Sequence, residues 1–310
     1  GLAVPLLPEA ALAAAGLAAI LLFPDDLAFL TRVVIAGLLA LSLDLILGIG
    51  GIVTLGHAAL SGAGAYAAGL LALHLAADPH LGLLAGAAAG AGLALLSGPL
   101  ILRAHGLTLV MLTVAVAQLV QEAANKAAWL TGGDDGLAGF TTGPALGLFR
   151  FDLAGRTGFL WSLAVLVVAF GLLRRLAASP FGLTAEGIRA DAGRMRALGC
   201  PVFCHRLQVY GLGGAVAGAA GALSAQVTEV VGLAALGFQT SAELLVMLTL
   251  GGRGRLWGAL LGVLVFLLVH HLAAAADPFH WLAVIGAMLI LTVLVLPGGL
   301  IGLLDRAAAR

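Results

Sequence analysis

Charged residues are scarce in this sequence. Its 310 residues include 15 Lys and Arg and 15 Asp and Glu, which is 10% of the chain, whereas an ordinary soluble domain has about 25%. Long uncharged runs recur along the whole chain, and the mean hydropathy is +1.13. A soluble protein of this size could not bury so much apolar surface, so the solvent of these runs is lipid. The composition predicts a polytopic membrane protein.

Several function classes have no support in the residues. The formal net charge is +0, which excludes a generally basic nucleic-acid binder. The sequence has no G-x-x-x-x-G-K-[ST] motif, so the chain cannot cradle the phosphates of ATP itself. No Ser/His/Asp or paired-carboxylate arrangement stands out. We therefore expect no catalytic residue and no cofactor in this chain.

Cysteine is also rare, with Cys200 and Cys204 the two in the chain. Together with His205 they form a C-x-x-x-C-H pattern, which suggests a metal site. Without a second pair of ligands this is not a zinc-site pattern. We interpret the two as free thiols at the cytoplasmic end of a helix and predict no metal site.

The apolar runs are candidates for membrane spans, each of which needs about 20 residues. Turns with Pro, Gly or Asp separate them, such as "FPDD" at 23–26. The run at 242–252 is short, and with 229–241 it is expected to form a broken element. We predict one all-α transmembrane domain over 1–310, with about ten (eight to ten) transmembrane or broken helices. The candidate spans are roughly 10–23, 27–47, 57–77, 81–101, 106–128, 158–173, 207–228, 242–252, 256–276 and 281–297.

The arginines predict the orientation, because Lys and Arg in short loops mark the cytoplasmic side. Alternating spans place four segments on one side, and these hold 11 of the 15 Lys and Arg residues: 102–105, 174–206, 251–255 and 298–310. The opposite loops are mainly acidic. Both termini are therefore expected in the cytoplasm, and the smaller number of crossings would give the same orientation.

Segment 174–206 stands out because six arginines oppose only Glu186 and Asp191. Its residues 184–198 are predicted to form a helix of roughly 20 Å along the cytoplasmic face, ended by Gly199 in the left-handed conformation. The apolar face of that helix consists of Ala185, Ile188, Ala192 and Met195. Two interpretations remain open. The helix could rest on the anionic headgroups of membrane lipid, or a soluble partner could grip its polar face.

Five segments carry a further pattern, in which small residues stand at fixed places. "SPFGLTAEGIRADAGRMRALG" (179–199) has a Ser-Pro-Phe-Gly start and an Ala-Leu-Gly end. The other segments are "LILGIGGIVTLGHAALSGAGAYAAG" (45–69), "LTGGDDGLAGF" (130–140), "LTLGGRGRLWGALLGVLV" (248–265) and "LPGGLIGLL" (296–304). In this order, over about 260 residues, they resemble the M-type permease subunit of the branched-chain amino-acid type of ABC importer. Ala259 stands where that family usually has Pro, and Leu60 stands where it commonly has an aromatic residue.

The resemblance implies a permease of the bacterial cytoplasmic (inner) membrane, not an enzyme. Such a permease passes a small polar solute that an external, periplasmic binding protein delivers. Two separate ATPase subunits bind ATP and Mg²⁺, and a second homologous permease, usually a different chain, completes the assembly. Branched-chain amino acids, urea or short amides, and aromatic or other small acids are all substrates within the family, and the solute stays open among them.

The resemblance also implies that the helix in 174–206 docks on the ATPase and receives its movement. Leu183 and Glu186 depart from this pattern, since the family has basic residues at those positions. The residues implied in coupling are Phe181, Gly182, Glu186, Ile188, Arg189, Arg194, Leu198 and Gly199.

Polar residues inside the spans are candidates for the solute pathway, because ionisable groups in lipid are costly and often functional. The break "GIGGIVTLGH" at 48–57 is the leading candidate, since unwound backbone at membrane depth lines a cavity or is buried in protein. For each polar residue, a satisfied interhelical hydrogen bond is the alternative. The residues predicted to line the route are Thr54, His57 and Tyr66, followed by Gln118 and Glu243.

Two other functions compete with the importer. A stand-alone secondary transporter or channel would have an ion-coupling carboxylate cluster in two matched halves, and no such internal repeat is visible. An integral membrane enzyme would need several His or carboxylate groups at one depth. His57, His74, His270 and His271 do not share a depth in the predicted topology.

Overall fold

The structure, a computed structural model, describes residues 7–22, 26–144, 155–276, 286–287, 290 and 299–302. Nearly all of the described chain is helical, which confirms the all-α class. Most of the predicted span at 281–297 and most of both termini lie outside the described residues.

The first half of the chain is a series of helices joined by short turns. A π-helical segment, Asp44–Ile49, continues the second helix, and a 3-10 turn, Gly133–Asp135, follows the sixth. The helices are α1 (Leu7–Leu22), α2 (Leu27–Leu43), α3 (His57–His74), α4 (Pro79–Ile101), α5 (Leu107–Lys126) and α6 (Ala128–Thr131).

The second half continues in the same way. Two short strands, β1 (Leu137–Ala138) and β2 (Val230–Val231), pair antiparallel with Leu137 opposite Val231. A 3-10 turn, Leu233–Leu236, follows β2. The remaining helices are α7 (Arg156–Ala178), α8 (Pro180–Ala190), α9 (Ala192–Ala197), α10 (Val202–Thr228), α11 (Phe238–Gly251) and α12 (Leu256–Ala276).

Five helices in the described part of the chain are long and apolar enough to cross a membrane. They are Leu27–Ile49, Pro79–Ile101, Leu107–Lys126, Arg156–Ala178 and Leu256–Ala274, and each matches a predicted span with its ends displaced by a few residues. The expected interruption before 242 is also present, because β2 and the 3-10 turn precede α11, which has 14 residues. The number of crossings beyond these five stays a prediction.

The helices α3 and α10 are rich in Gly and Ala, and they form the centre of the bundle. Helix α10 packs closely along α4, α3 and α2. The approach is backbone to backbone: a Cβ atom at Gly218 would overlap the carbonyl oxygen of Gly86 on α4. This is the small-residue packing that holds helices together in lipid, where apolar burial gives no driving force.

Hydrogen bonds tie the helices together at the end of the bundle where α10 stops. The buried side chain of Gln226 donates from Nε2 to the carbonyl oxygen of Pro79 at 2.8 Å and accepts from Nε1 of Trp161 at 3.0 Å. Thr142 donates from its backbone N–H to Glu229 at 2.9 Å. One glutamine thus joins α10 to the start of α4 and to α7, and the β1–β2 pair closes over the same end.

Candidate functional site

Helix α8 begins at Pro180, where a proline is suited to the first helical position because its missing N–H needs no partner there. Ala185 and Ile188 are 2% and 3% exposed, and they pack the helix onto the bundle. The ring of Phe181 lies 4.4 Å from the ring of His205, whose Nε2 is 3.0 Å from the carbonyl oxygen of Phe181. The start of α8 is thereby fixed against α10.

The basic segment forms two helices, not the single helix predicted over 184–198. Asp191 ends α8 in an extended conformation (φ −157°, ψ 98°). Its Oδ1 then accepts hydrogen bonds from the N–H groups of Gly193 and Arg194, both at 2.9 Å, and so caps the start of α9. An aspartate that can satisfy two free N–H groups favours a helix start over helix continuation. The predicted apolar face is nevertheless real as far as Ile188, and Met195 is half-buried.

The predicted coupling residues divide into a buried and an exposed set. Gly182 and Ile188 are buried and Phe181 is half-buried, which suits packing residues. The exposed set consists of Glu186, Arg189, Arg194, Leu198 and Gly199. Exposed leucines accompany these charges, since Leu183 is 62% exposed and Leu198 is 76% exposed. The segment therefore presents a mixed charged and apolar surface.

The side chain of Arg189 is exposed to solvent, yet it also links α8 to the loops at Gly51 and Gly254. A Cβ atom at Gly51 would overlap the side-chain carbons of Arg189, and one at Gly254 would lie 3.3 Å from its Nη1. The side chain thus runs from Gly51, just after the π-helix, to the loop before α12. The guanidinium charge acts on the carboxyl group of Asp44, which is 0% exposed and accepts a 2.6 Å hydrogen bond from the N–H of Gly254.

The break predicted to line the pathway is a tightly hydrogen-bonded crossing in this arrangement. His57 is 0% exposed, and its Nε2 lies 2.7 Å from Oγ of Ser42 on α2. Thr54 is 1% exposed, and its Oγ1 accepts from the N–H of Gly56 at 3.2 Å. The N–H of Ala58 donates to Ser241 on α11 at 2.9 Å. The bonds of His57 and Ala58 join helices, as the alternative interpretation expects. Thr54 bonds only locally, and the buried Nδ1 of His57 has no hydrogen-bond partner among the described residues.

The other predicted pathway residues are dispersed. The hydroxyl of Tyr66 is buried and has no hydrogen-bond partner among the described residues. Gln118 is exposed on α5, the helix on which Glu122 and Lys126 form an ion pair at 3.6 Å. As pathway residues, Thr54, His57, Tyr66 and Gln118 stay predictions.

Glu243 is the predicted pathway residue that lines a large cavity. This cavity has a volume of about 590 Å³ and lies among α2, α3, α10, α11 and α12. Its polar lining includes Thr31 and Arg32 of α2, Ser61 of α3 and Thr240 of α11. The carboxylate of Glu243 accepts a 3.0 Å hydrogen bond from Nε2 of Gln239, one turn earlier on α11.

Comparison with known proteins identifies the family of this chain independently of the structure. The family model described as "Branched-chain amino acid transport system / permease component" matches residues 27–293. The chain belongs to this family. Membership confirms the resemblance drawn from the five motifs.

Two relatives illustrate the similarity. The "High-affinity branched-chain amino acid transport system permease protein LivM" of Escherichia coli (strain K12) is 27% identical over 302 residues, with 89% of this chain and 69% of the relative covered. The LivM protein of Salmonella typhimurium (strain LT2) is 26% identical over 304 residues, with the same coverage. No solved structure matches the chain significantly.

As a member of this permease family, the chain is a transport subunit of the ABC importer type and not an enzyme. Its family and its apolar helices together identify a multi-pass inner-membrane protein. The expectation that catalysis has no place in this chain is therefore confirmed by the family.

Two features of this permease were not predicted from the sequence: the position of Arg32 in the cavity wall and the hydrogen bond between Asp44 and Gly254. Arg32 lines the cavity, and a basic residue six positions into an apolar helix was a signal that could have drawn attention to it. The bond between Asp44 and Gly254 carried no local signal. Asp44 was visible as a charge within a span, but its partner is 210 positions away.

Proposed function

We propose that this chain is the transmembrane permease subunit of an ABC importer for a small polar solute. The solute is a branched-chain amino acid or a related small amide or acid, which an external solute-binding protein delivers. Two ATPase subunits, which bind ATP and Mg²⁺, drive the transport, and a second, different permease chain completes the pathway. The LivM relatives, named as high-affinity branched-chain amino acid permeases, support this class of solute.

The observation that carries the proposal is the contact of Arg189 with both Gly51 and Gly254. An ATPase that pushes on the exposed face of α8 has to move the transmembrane helices and not only a surface helix. Arg189 lies against Gly51, which follows the π-helix of α2, and against Gly254 in the loop before α12, and Ala185 belongs to the main apolar core. A displacement of α8 would therefore act on the segments that adjoin two spans, the end of α2 and the start of α12. This geometry supports docking on an ATPase over resting on lipid headgroups.

The orientation follows from the same proposal. The basic loops favour the cytoplasm for α8 and for both termini. Helix α10 starts beside α8 and α2 ends beside it, so Thr228 and Leu27 belong to the opposite, external end. The binding protein would deliver its solute at that end.

The test is capture of the partner subunits from the native membrane with the tagged full chain. The variant Arg194→Glu reverses an exposed charge on α9, and Arg103→Glu makes the same change in an exposed loop after α4, outside the docking segment. We expect an ATPase to accompany the native chain and Arg103→Glu, and to be reduced several-fold with Arg194→Glu. Size-exclusion profiles of the three proteins exclude a loss caused by misfolding.

The competing function is a stand-alone secondary transporter or channel. If the native chain is purified without any ATPase, and still moves solute into sealed vesicles without ATP, then the importer function is wrong and the stand-alone function replaces it.

A further inference from the structure

The cavity that Glu243 lines lies at the end of the bundle away from α8. Its walls come from residues 28–39 of α2, 61–65 of α3, 220–228 of α10 and 240–247 of α11, with Leu267 of α12. These are the halves of α2 and α10 that lie farthest from the coupling segment. The volume of about 590 Å³ falls within the roughly 300–1,000 Å³ of small-molecule sites.

Most of the cavity wall is apolar. Ile35 and Leu39 contribute from α2, Leu244 and Met247 from α11, and Leu267 from α12. An aliphatic group in this space is removed from water, which is favourable in proportion to the area buried. The wall therefore suits a solute with a hydrocarbon side chain.

Two opposite charges complete the lining, Arg32 on α2 and Glu243 on α11. Both side chains line the same cavity, and the two helices that carry them pack against each other. In the described part of the chain, no ion pair within 4 Å joins Arg32 to Glu243 or either of them to another residue. Each charge is therefore able to take a ligand group of opposite sign.

We propose that Arg32 and Glu243 form a binding site for the zwitterionic head of an aliphatic α-amino acid. The planar guanidinium of Arg32 offers two parallel N–H donors to the carboxylate. The carboxylate of Glu243, already oriented by Gln239, accepts the ammonium group. The hydrocarbon side chain lies against Ile35, Leu39 and Leu267.

This inference rests on the proposed importer function and selects among its substrates. A neutral amide would leave both charges without a partner, and each would lose water on closure of the site for no compensating contact. An acid without an amino group would use Arg32 but not Glu243. The pair of charges thus favours an α-amino acid over both other classes.

The experiment measures binding of radiolabelled L-leucine to the full chain, purified from its native membrane with the subunits that accompany it and placed in lipid nanodiscs. Two competitors dissect the head group. 4-Methylpentanoate is leucine without its ammonium group, and 3-methylbutylamine is leucine without its carboxylate. The site variants are Glu243→Gln and Arg32→Gln. Their matched controls are Glu122→Gln and Arg103→Gln, which change exposed residues outside the cavity.

We expect Glu243→Gln to weaken leucine binding by at least about tenfold, as loss of one member of a charge pair does, while competition by 4-methylpentanoate is unchanged. Arg32→Gln should weaken leucine to a similar extent and leave competition by 3-methylbutylamine unchanged. Both controls should bind leucine like the native chain. A general distortion of the cavity would weaken all three compounds in both variants, whereas here each variant spares the one compound that lacks the group its residue binds.

Three results would overturn the proposal: leucine binds the site variants as tightly as the native chain, each variant weakens all three compounds equally, or the native chain binds none of them. Capture of the ATPase by the same preparations separates this failure from failure of the importer function. If the ATPase is retained while any of these results is found, the chain is an importer subunit whose solute is recognised elsewhere. If no ATPase is retained, the importer function itself fails, whatever leucine does.

Discussion

Oδ1 of Asp44 accepts a 2.6 Å hydrogen bond from the backbone N–H of Gly254. The carboxyl group belongs to the π-helical end of α2, and the N–H belongs to the loop before α12. A Cβ atom at Gly48 would overlap Asp44, so this position must be glycine for the two elements to meet. One bond thus joins the end of one span to the loop before another, at the point that Arg189 of α8 also reaches.

Asp44→Ala is predicted to lower the free energy of unfolding by about 1–3 kcal/mol, because the N–H of Gly254 loses its acceptor in a partly buried site. Asp44→Asn keeps an oxygen in the same place and should lower it less. Thermal unfolding of the detergent-purified variants measures both. Equal losses in the two variants would mean that the charge near Arg189, and not the hydrogen bond, stabilises this junction.

The close approach of α10 to α4 gives a second prediction. Gly218→Ala places a Cβ atom on the Gly86 carbonyl oxygen, and overpacking of this kind costs about 1–3 kcal/mol. Gly92→Ala is the matched control on α4, since a Cβ atom there has no described residue within 4 Å. We expect a lower unfolding temperature for Gly218→Ala and an unchanged or slightly higher one for Gly92→Ala. A native-like Gly218→Ala would show that the two helices can separate without loss.

The sequence predicted those features whose signal is local. Apolar runs of about 20 residues predicted the five spans that the structure describes. The basic composition of 174–206 marked the segment that forms α8 and α9, and its role in coupling stays a prediction. Its break at Asp191 was missed because the apolar spacing from Ala185 to Met195 continues across it, and the aspartate was counted as part of the polar face. A residue that caps a helix is also polar, so the pattern alone does not separate the two roles.

The features that depend on distant residues were not predictable in this way. His57 was predicted to line the pathway, and it is buried beside Ser42 on another helix. The sequence could not distinguish this hydrogen bond from a pathway role, because the two residues meet only in the fold. The cavity required α2, α10 and α11 to be placed together. Glu243 was found from its charge in an apolar context, whereas Arg32 was passed over because α2 was treated as a uniform span.

The cap of α9 gives a third, local prediction. Asp191→Ala removes the acceptor of the Gly193 and Arg194 N–H groups, and loss of such a cap costs about 1 kcal/mol. Hydrogen–deuterium exchange should become faster within 192–197, while the global unfolding temperature stays unchanged. Asp191→Asn, which can still cap, serves as the control. Uniformly faster exchange along the whole chain would contradict a local role for this residue.

The last prediction concerns how movement of α8 reaches the spans. Arg189→Ala removes the contacts with Gly51 and Gly254. The buried Ile188, which packs α8 onto the bundle, and the exposed Leu183 and Leu198 remain. The ATPase should therefore still bind and hydrolyse ATP, but the solute moved per ATP should fall several-fold. Uptake and hydrolysis are measured together in proteoliposomes that contain the purified importer, with Arg103→Ala as the control.

The two readouts separate transmission from docking. If Arg189→Ala loses the ATPase altogether, Arg189 acts on the docking surface and its contacts with the spans are incidental. If hydrolysis and uptake fall by the same factor, the residue sets the rate of the whole cycle and does not transmit movement. Only a fall in uptake with hydrolysis retained fits an arginine that holds α8 to α2 and α12, because in that case the ATPase still pushes on α8 while the spans no longer follow it.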